Sequence, residues 1–152
     1  MTIRLWNSSD RDKLLHIKQQ SVKHTCNSIY TSEEIAKRLA YLDSHENPLD
    51  NHTVLLSCIR EDIVWFISFS ISDTTAQIEN LYVLPEFQEK WIAHELIDKM
   101  EDIINDEKID KISVRSTLNA QTFYEKLWYS FVQSTASKAW LTISILEKTI
   151  SL

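Results

Sequence analysis

Between Thr53 and Val83 apolar and polar positions alternate at close intervals, and on either side of this stretch the spacing lengthens to that of helices. Thr53–Ile59, Val64–Ile71 and Ala76–Val83 are rich in β-branched and aromatic residues. Short polar turns, Arg60-Glu61-Asp62 and Ser72-Asp73-Thr74, join them, which predicts an antiparallel meander. After Pro85, the residues Ile92, Leu96, Ile97, Met100, Ile103 and Ile104 fall on one stripe and predict the strongest helix of the chain. Lys111–Arg115 reads as the next strand, and a strand-helix-strand path of this length implies a parallel partner. A short helix over Asn119–Leu127 follows, then a closing antiparallel pair, Tyr129–Thr135 and Leu141–Glu147.

The N-terminal third is helical by the same reasoning. Thr2–Leu5 alternates as a first strand, and Ser9-Asp10-Arg11-Asp12 looks like the capping start of a helix running to about Lys23. In Thr31-Ser32-Glu33-Glu34 a hydroxyl can cap the N3 amide while the Glu side chain returns to the N-cap amide. Ile35, Leu39 and Leu42 then give that helix one buried face, and Asp43 to Asn51, holding Pro48, reads as a loop. The order β-α-α-β-β-β-α-β-α-β-β predicts an α/β (α+β) fold in one domain over residues 1–152. Its sheet is mixed and mostly antiparallel, with about six or seven strands and about four helices.

Composition narrows the partners. With 16 Lys and Arg against 22 Asp and Glu, spread along the chain, no basic stripe suits a nucleic-acid backbone. No apolar run approaches the roughly 18 residues of a membrane span, and the polar start lacks the apolar stretch of a signal peptide. A cytoplasmic protein is expected. Cys26 and Cys58 have no metal-ligand or CxxC spacing, and His16, His24, His45, His52 and His94 form no H-x-H or H-x-x-x-H pair, so no metal is expected.

The informative segment is the passage from strand to helix after Val83. A proline-initiated loop there opens a helix near Ile92, so several backbone amides converge beside a positive dipole end and suit a pyrophosphate. Lys90 can reach an outer phosphate or stand solvated. The stretch Leu81-Tyr82-Val83-Leu84-Pro85, followed by Gln88-Glu89-Lys90-Trp91-Ile92-Ala93, resembles the acyl-CoA-binding motif of the GNAT superfamily of N-acyltransferases. There a strand of the form LYV-x-P leads into Q/R-x-x-G-x-G/A. Downstream, Asn119-Ala120-Gln121-Thr122-Phe123-Tyr124-Glu125-Lys126-Leu127-Trp128-Tyr129 is similar to the same family's N-x-x-A-x-x-FYEKLGY segment.

The resemblance implies an N-acetyltransferase that moves an acetyl group from acetyl-CoA, as cosubstrate, to a small-molecule or peptide amine. It implies that Leu81, Tyr82 and Val83 hold the acyl-pantetheine arm through their backbone. Gln88, Glu89, Lys90, Trp91, Ile92 and Ala93 would grip the pyrophosphate. Tyr124 stands at the family's general-acid position, and Glu79, two residues before Leu81 and expected on its face of the strand, would accept the amine's proton. Asn119 would touch the cofactor or serve as an ordinary helix N-cap. Tyr30, Glu33 and Glu34 lie where the family shapes its acceptor pocket, and His94 is close enough in sequence to line the cofactor groove. Relatives often dimerise through the last strands, so Leu141, Ile143 and Ile145 would serve a homodimer or the core.

One compositional feature cuts across this picture. The chain has no glycine and five tryptophans, although average usage near 7% predicts about ten or eleven glycines at this length. Trp91 and Trp128 occupy family glycine positions, and Trp65 falls where relatives commonly read I-V-G-F. Trp6 and Trp140 sit in polar-flanked positions that glycine would also suit. Tryptophan standing for glycine, as a reassigned UGA codon would give, is one reading; a glycine-free variant is the other. Bulk at position 91 implies an alternative function, a GNAT-like fold that binds acyl-CoA or a partner without catalysis because Trp91 obstructs the pyrophosphate loop.

Overall fold

The computed structural model of the protein describes residues 2–25, 30–37, 52–88, 92–105, 107–136 and 142–150. Seven strands form one sheet: β1 (Thr2–Leu5), β2 (Thr53–Ile59), β3 (Asp62–Ser72), β4 (Thr75–Val83), β5 (Lys111–Thr117), β6 (Ser130–Ala136) and β7 (Thr142–Thr149). The helices are α1 (Arg11–Thr25), α2 (residues 32–37), α3 (Ile92–Asn105) and α4 (Gln121–Glu125). The strand order is β1-β2-β3-β4-β5-β7-β6, and β4 with β5 is the parallel pair expected from the α3 crossover. Of α2, Leu39 and Leu42 lie outside the described residues, as do the loop expected over 43–51, Cys26 and Trp140.

The start of α1 differs from expectation. Asn7, not Ser9, is the cap: its side chain accepts from the Ser9 amide at 3.0 Å, and Asp10 returns to the Asn7 amide at 2.9 Å. A three-residue 3-10 turn, Ser8–Asp10, therefore precedes α1. Asp10 is buried because Arg4 on β1 clamps both its carboxylate oxygens at 2.9 Å, tying the first strand to the first helix. The hairpin turns are also tighter than expected. They take two residues each, with Arg60 at φ 58° and Asp73 at φ 54°, left-handed backbone that matches the twist of the flanking strands.

Helices cover both faces of the sheet. Leu96, Ile97, Met100 and Ile104 of α3 are fully buried against Ile67, Phe69, Ile78, Ile112, Val114 and Leu146. Each such side chain contributes about 1.5–3 kcal/mol by leaving water. On the opposite face Leu14 and Ile17 of α1 meet Val54, Leu56 and Phe66, and a third cluster joins Val22, Tyr30 and Ile35 to Ile143 of β7. Ile143 thus belongs to the core. Trp65 is buried in the α3 cluster opposite Val83, with its Nε1 lacking a hydrogen-bond partner among the described residues, and Trp6 is stacked under the Arg11 guanidinium at 5.3 Å. No helix among the described residues is long and apolar enough to cross a membrane.

Candidate functional site

The sheet opens where β4 leaves β5. Their parallel register runs from Thr75 with Lys111 to Ile78 with Val114 and stops there. Beyond it, Glu79, Asn80, Leu81 and Tyr82 form one bank of a cleft, and Arg115, Ser116 and Thr117 the other, with Ala120 and Tyr124 at its side. Backbone groups on the facing edges, which a continued ladder would pair, are left without a strand partner among the described residues.

A β-bulge directs the side chains at this fork. Ser68 pairs with Asn80 and Phe69 with Ile78, so Glu79 is the extra residue in β4. The two-residue alternation is broken, and Ile78, Leu81 and Val83 all pack into the core under α3. Glu79 and Asn80 instead turn to the α1 face. Ser70 Oγ donates to Glu79 Oε1 at 3.0 Å, and the buried Asn80 amide donates to Ser68 Oγ at 2.7 Å. The expected common face of Glu79 and Leu81 is therefore corrected: alternation does not carry across a bulge. Tyr82, on the α1 face, packs on Phe66 with ring centres 5.9 Å apart and lies beneath Lys18 Nζ at 5.5 Å.

Tyr124 reaches the cleft from α4. It is almost fully buried, edge-on to Phe123 at 5.1 Å and to Tyr129 at 5.6 Å. Burial, and secondarily the neighbouring Tyr82, push its phenol above the ordinary value of 10.0, so the hydroxyl stays protonated. Its helix ends in a Schellman arrangement: the Tyr129 amide donates to Tyr124 O at 3.1 Å and the Trp128 amide to Glu125 O at 3.1 Å. Trp128 occupies the left-handed position at φ 73° and is 83% exposed. The Tyr124–Tyr129 ring pair provides the apolar contact that accompanies such caps.

The other expected site residues divide. Gln88 closes a 3-10 turn, Pro85–Phe87, donating its amide to Pro85 O at 3.3 Å, and its Nε2 is buried with no hydrogen-bond partner among the described residues. Glu89, Lys90 and Trp91 lie outside the described residues. Ile92 and Ala93 begin α3, where the first turn leaves amides unpaired within the helix. His94 stands edge-on to Phe123 at 5.8 Å, joining α3 to α4. Asn119 lies in a 3-10 turn, Leu118–Ala120, whose N-cap is Thr117, while Ala120 caps α4, so the N-cap reading of Asn119 does not hold.

Tyr30, Glu33 and Glu34 do not form a group. The Tyr30 hydroxyl donates to Thr142 O at 2.7 Å and accepts from the Leu118 amide at 2.9 Å, fastening the entry to α2 onto β7 and the α4 approach. Glu34 caps its own helix with Thr31, at 3.0 and 3.1 Å, and Glu33 pairs with Lys37 at 3.5 Å on the surface. The structure adds Ser68, Ser70, Asn80 and Arg115 to the cleft and its supports. Ser68 and Ser70 fall two apart on a strand, but only the bulge makes them holders of adjacent residues.

Comparison with known proteins agrees with this architecture. Residues 14–150 match the family model of the acetyltransferase (GNAT) domain. Among solved structures, the GCN5-related N-acetyltransferase from Rhodopseudomonas palustris is 20% identical, with 98% of this chain and 95% of that one covered at a TM-score of 0.84. The PaiA N-acetyltransferase from Thermoplasma acidophilum, in complex with coenzyme A, is 22% identical over 99% and 100% of the two chains, with a TM-score of 0.78. Salmonella typhimurium yncA, a putative acetyltransferase with its cofactor acetyl-CoA, is 20% identical over 100% and 95%, with a TM-score of 0.68. No curated protein matches the chain. With the family match spanning nearly all of a sheet that splits between β4 and β5, the chain belongs to the GNAT acetyltransferase family.

Proposed function

We propose that the protein is an N-acetyltransferase that moves the acetyl group of acetyl-CoA to an amine in the cytoplasm. The observation that carries this reading is the fork itself: unpaired strand edges of β4 and β5 meeting beside Tyr124, in a chain of the GNAT family. The residues present suit acetyl-CoA. Open backbone edges after Ile78 and Val114 can bond an amide-bearing arm laid between them. The orphaned Gln88 Nε2, just ahead of the α3 N-terminus, is a buried donor awaiting an acceptor such as a phosphate oxygen. When bound, the thioester supplies an acyl group already activated for attack by an amine.

The chain's own groups then do the rest. Leu81 to Val83 orient the arm through backbone bonds, and Gln88 with the amides opening α3, Ile92 and Ala93 among them, hold the pyrophosphate. Glu89, Lys90 and Trp91 complete that site in this reading, and Asn119 touches the cofactor. Glu79, oriented by Ser70, takes the proton that the amine loses as its nitrogen bonds to the carbonyl carbon. Tyr124 serves the sulfur as the carbon–sulfur bond breaks. Its phenol lies above 10.0 while an ordinary thiol ionises near 8.5, so full proton transfer runs uphill and hydrogen-bond donation to the thiolate is the favoured role. Positioning supplies much of the remaining rate.

Calorimetry with acetyl-CoA, followed by coupled detection of free thiol with a panel of amines, tests the reading. Binding together with acetyl transfer is expected, and Tyr124→Phe should lower kcat by about a hundredfold while leaving binding intact. Absence of binding by the folded chain, when Trp91→Gly fails to restore it, overturns the proposal.

A further inference from the structure

Arg115 stands where the fork opens. Ile112 and Val114, on either side of Ser113, are buried under α3, so Arg115 projects from the opposite, α1-side face of β5 and is exposed there. Glu79 turns to that same face through its bond to Ser70. The two residues also correspond in register. Each immediately follows the last paired position, Ile78 with Val114, so a carboxylate and a guanidinium flank the point where β4 and β5 part. Both line the cleft that holds Tyr124.

No ion pair or hydrogen bond engages the Arg115 guanidinium among the described residues, whereas nearby Lys111 is bound to Glu147 at 3.6 Å. A planar, permanently charged fork of donors beside the proton acceptor of an amine is suited to a second group on that amine, an anion. The charge of the anion follows from its surroundings. Arg115 is the one cation among the described lining residues, Lys18 being engaged over the Tyr82 ring at 5.5 Å, and Glu79 is the carboxylate on the facing bank. A phosphate dianion would meet repulsion that a single cation does not offset, while a carboxylate is balanced by one guanidinium.

We propose that Arg115 is a specificity-determining residue and that the acceptor is a small molecule carrying both an amine and a carboxylate, an amino acid. Arg115 holds the carboxylate while the amine faces Glu79. Neighbouring strands lie about 4.8 Å apart at the last paired positions, so the two groups must sit close together on the acceptor. This assignment rests on the acetyl-transfer reading of the cleft.

Steady-state kinetics on the full chain with matched pairs tests it: alanine with ethylamine, phenylalanine with phenethylamine, lysine with cadaverine, and phosphoethanolamine with ethanolamine. We expect kcat/KM for the carboxylate-bearing member to exceed that of its decarboxylated partner by at least about tenfold, the scale of one charge-assisted pair, mainly through KM. In Arg115→Gln the ratio should collapse towards one, and Arg115→Lys should retain part of it. Equal kcat/KM within the pairs, or a ratio that persists in Arg115→Gln, overturns the role of Arg115 while leaving acetyl transfer standing. Preference for phosphoethanolamine over every amino acid overturns the carboxylate. If no amine is acetylated although acetyl-CoA binds, the transfer reading falls and this assignment with it.

Discussion

Trp128 holds a backbone angle, φ 73°, that only glycine adopts freely. The residue is 83% exposed, so it gains little from burial in return. The strain is tolerated because the Schellman bonds from the Trp128 and Tyr129 amides fix the turn. Relieving it should be visible. Trp128→Gly is expected to stabilise the protein by about 1 kcal/mol, which at this chain length raises Tm by about 2–4 °C in differential scanning calorimetry. An unchanged or lower Tm would mean that the indole makes compensating contacts. Trp65 behaves differently. It fills core space opposite Val83, so its replacement by glycine leaves a cavity even as it removes an unpartnered Nε1.

At the scale of elements, α1 is set by the Asn7–Asp10 capping box and its clamp from Arg4. The Arg4 guanidinium, opposed by burial, holds the Asp10 carboxyl below the ordinary carboxylate range. A carboxyl lowered by folding stabilises the fold above its unfolded value and loses that contribution as pH falls through the folded one. Asp10→Asn should therefore cost about 1 kcal/mol at pH 7, with the difference from the parent shrinking towards zero as denaturation curves are repeated below about pH 4. A difference that stayed constant with pH would assign the loss to packing.

Much at this scale was legible from residue order. The meander, the α3 stripe and the parallel return to β5 follow from periodicity because burial of one face imposes it on the sequence. What the sequence hid was local geometry. The bulge at Glu79 leaves the composition of β4 unchanged, since an extra residue in a strand looks like any other strand residue until its partner is known. The shift of the first cap from Ser9 to Asn7 had the same origin: several residues could cap, and Arg4, distant in the pattern but adjacent in the fold, selected Asp10 as the returning carboxylate. The contribution of Arg115 at the fork likewise depends on where pairing stops, which no spacing encodes.

For the molecule as a whole, the sheet is two antiparallel halves, β1–β4 and β5–β7–β6, joined by the short parallel register from Thr75 with Lys111 to Ile78 with Val114. Protection against hydrogen exchange should follow this division. Amides that point into the fork from residues after Ile78 and after Val114 are expected to exchange faster than those within either half. Saturating acetyl-CoA should slow them, by about a hundredfold if the ligand is present at 100 times its Kd, through linkage alone. Uniform exchange across the sheet, unaltered by acetyl-CoA, would argue against occupancy of the fork.

The left-handed turns carry a consequence for the other end of the folding equilibrium. Arg60, Asp73, Lys108 and Trp128 adopt positive φ in a chain that contains no glycine. Each places some strain in the native state. A chain without glycine also has fewer conformations open to it when unfolded, an effect of roughly 0.4–1 kcal/mol for each site at which a side chain replaces a glycine. Native strain and unfolded-state stiffness therefore oppose one another, and the protein folds from a denatured ensemble with less entropy to lose.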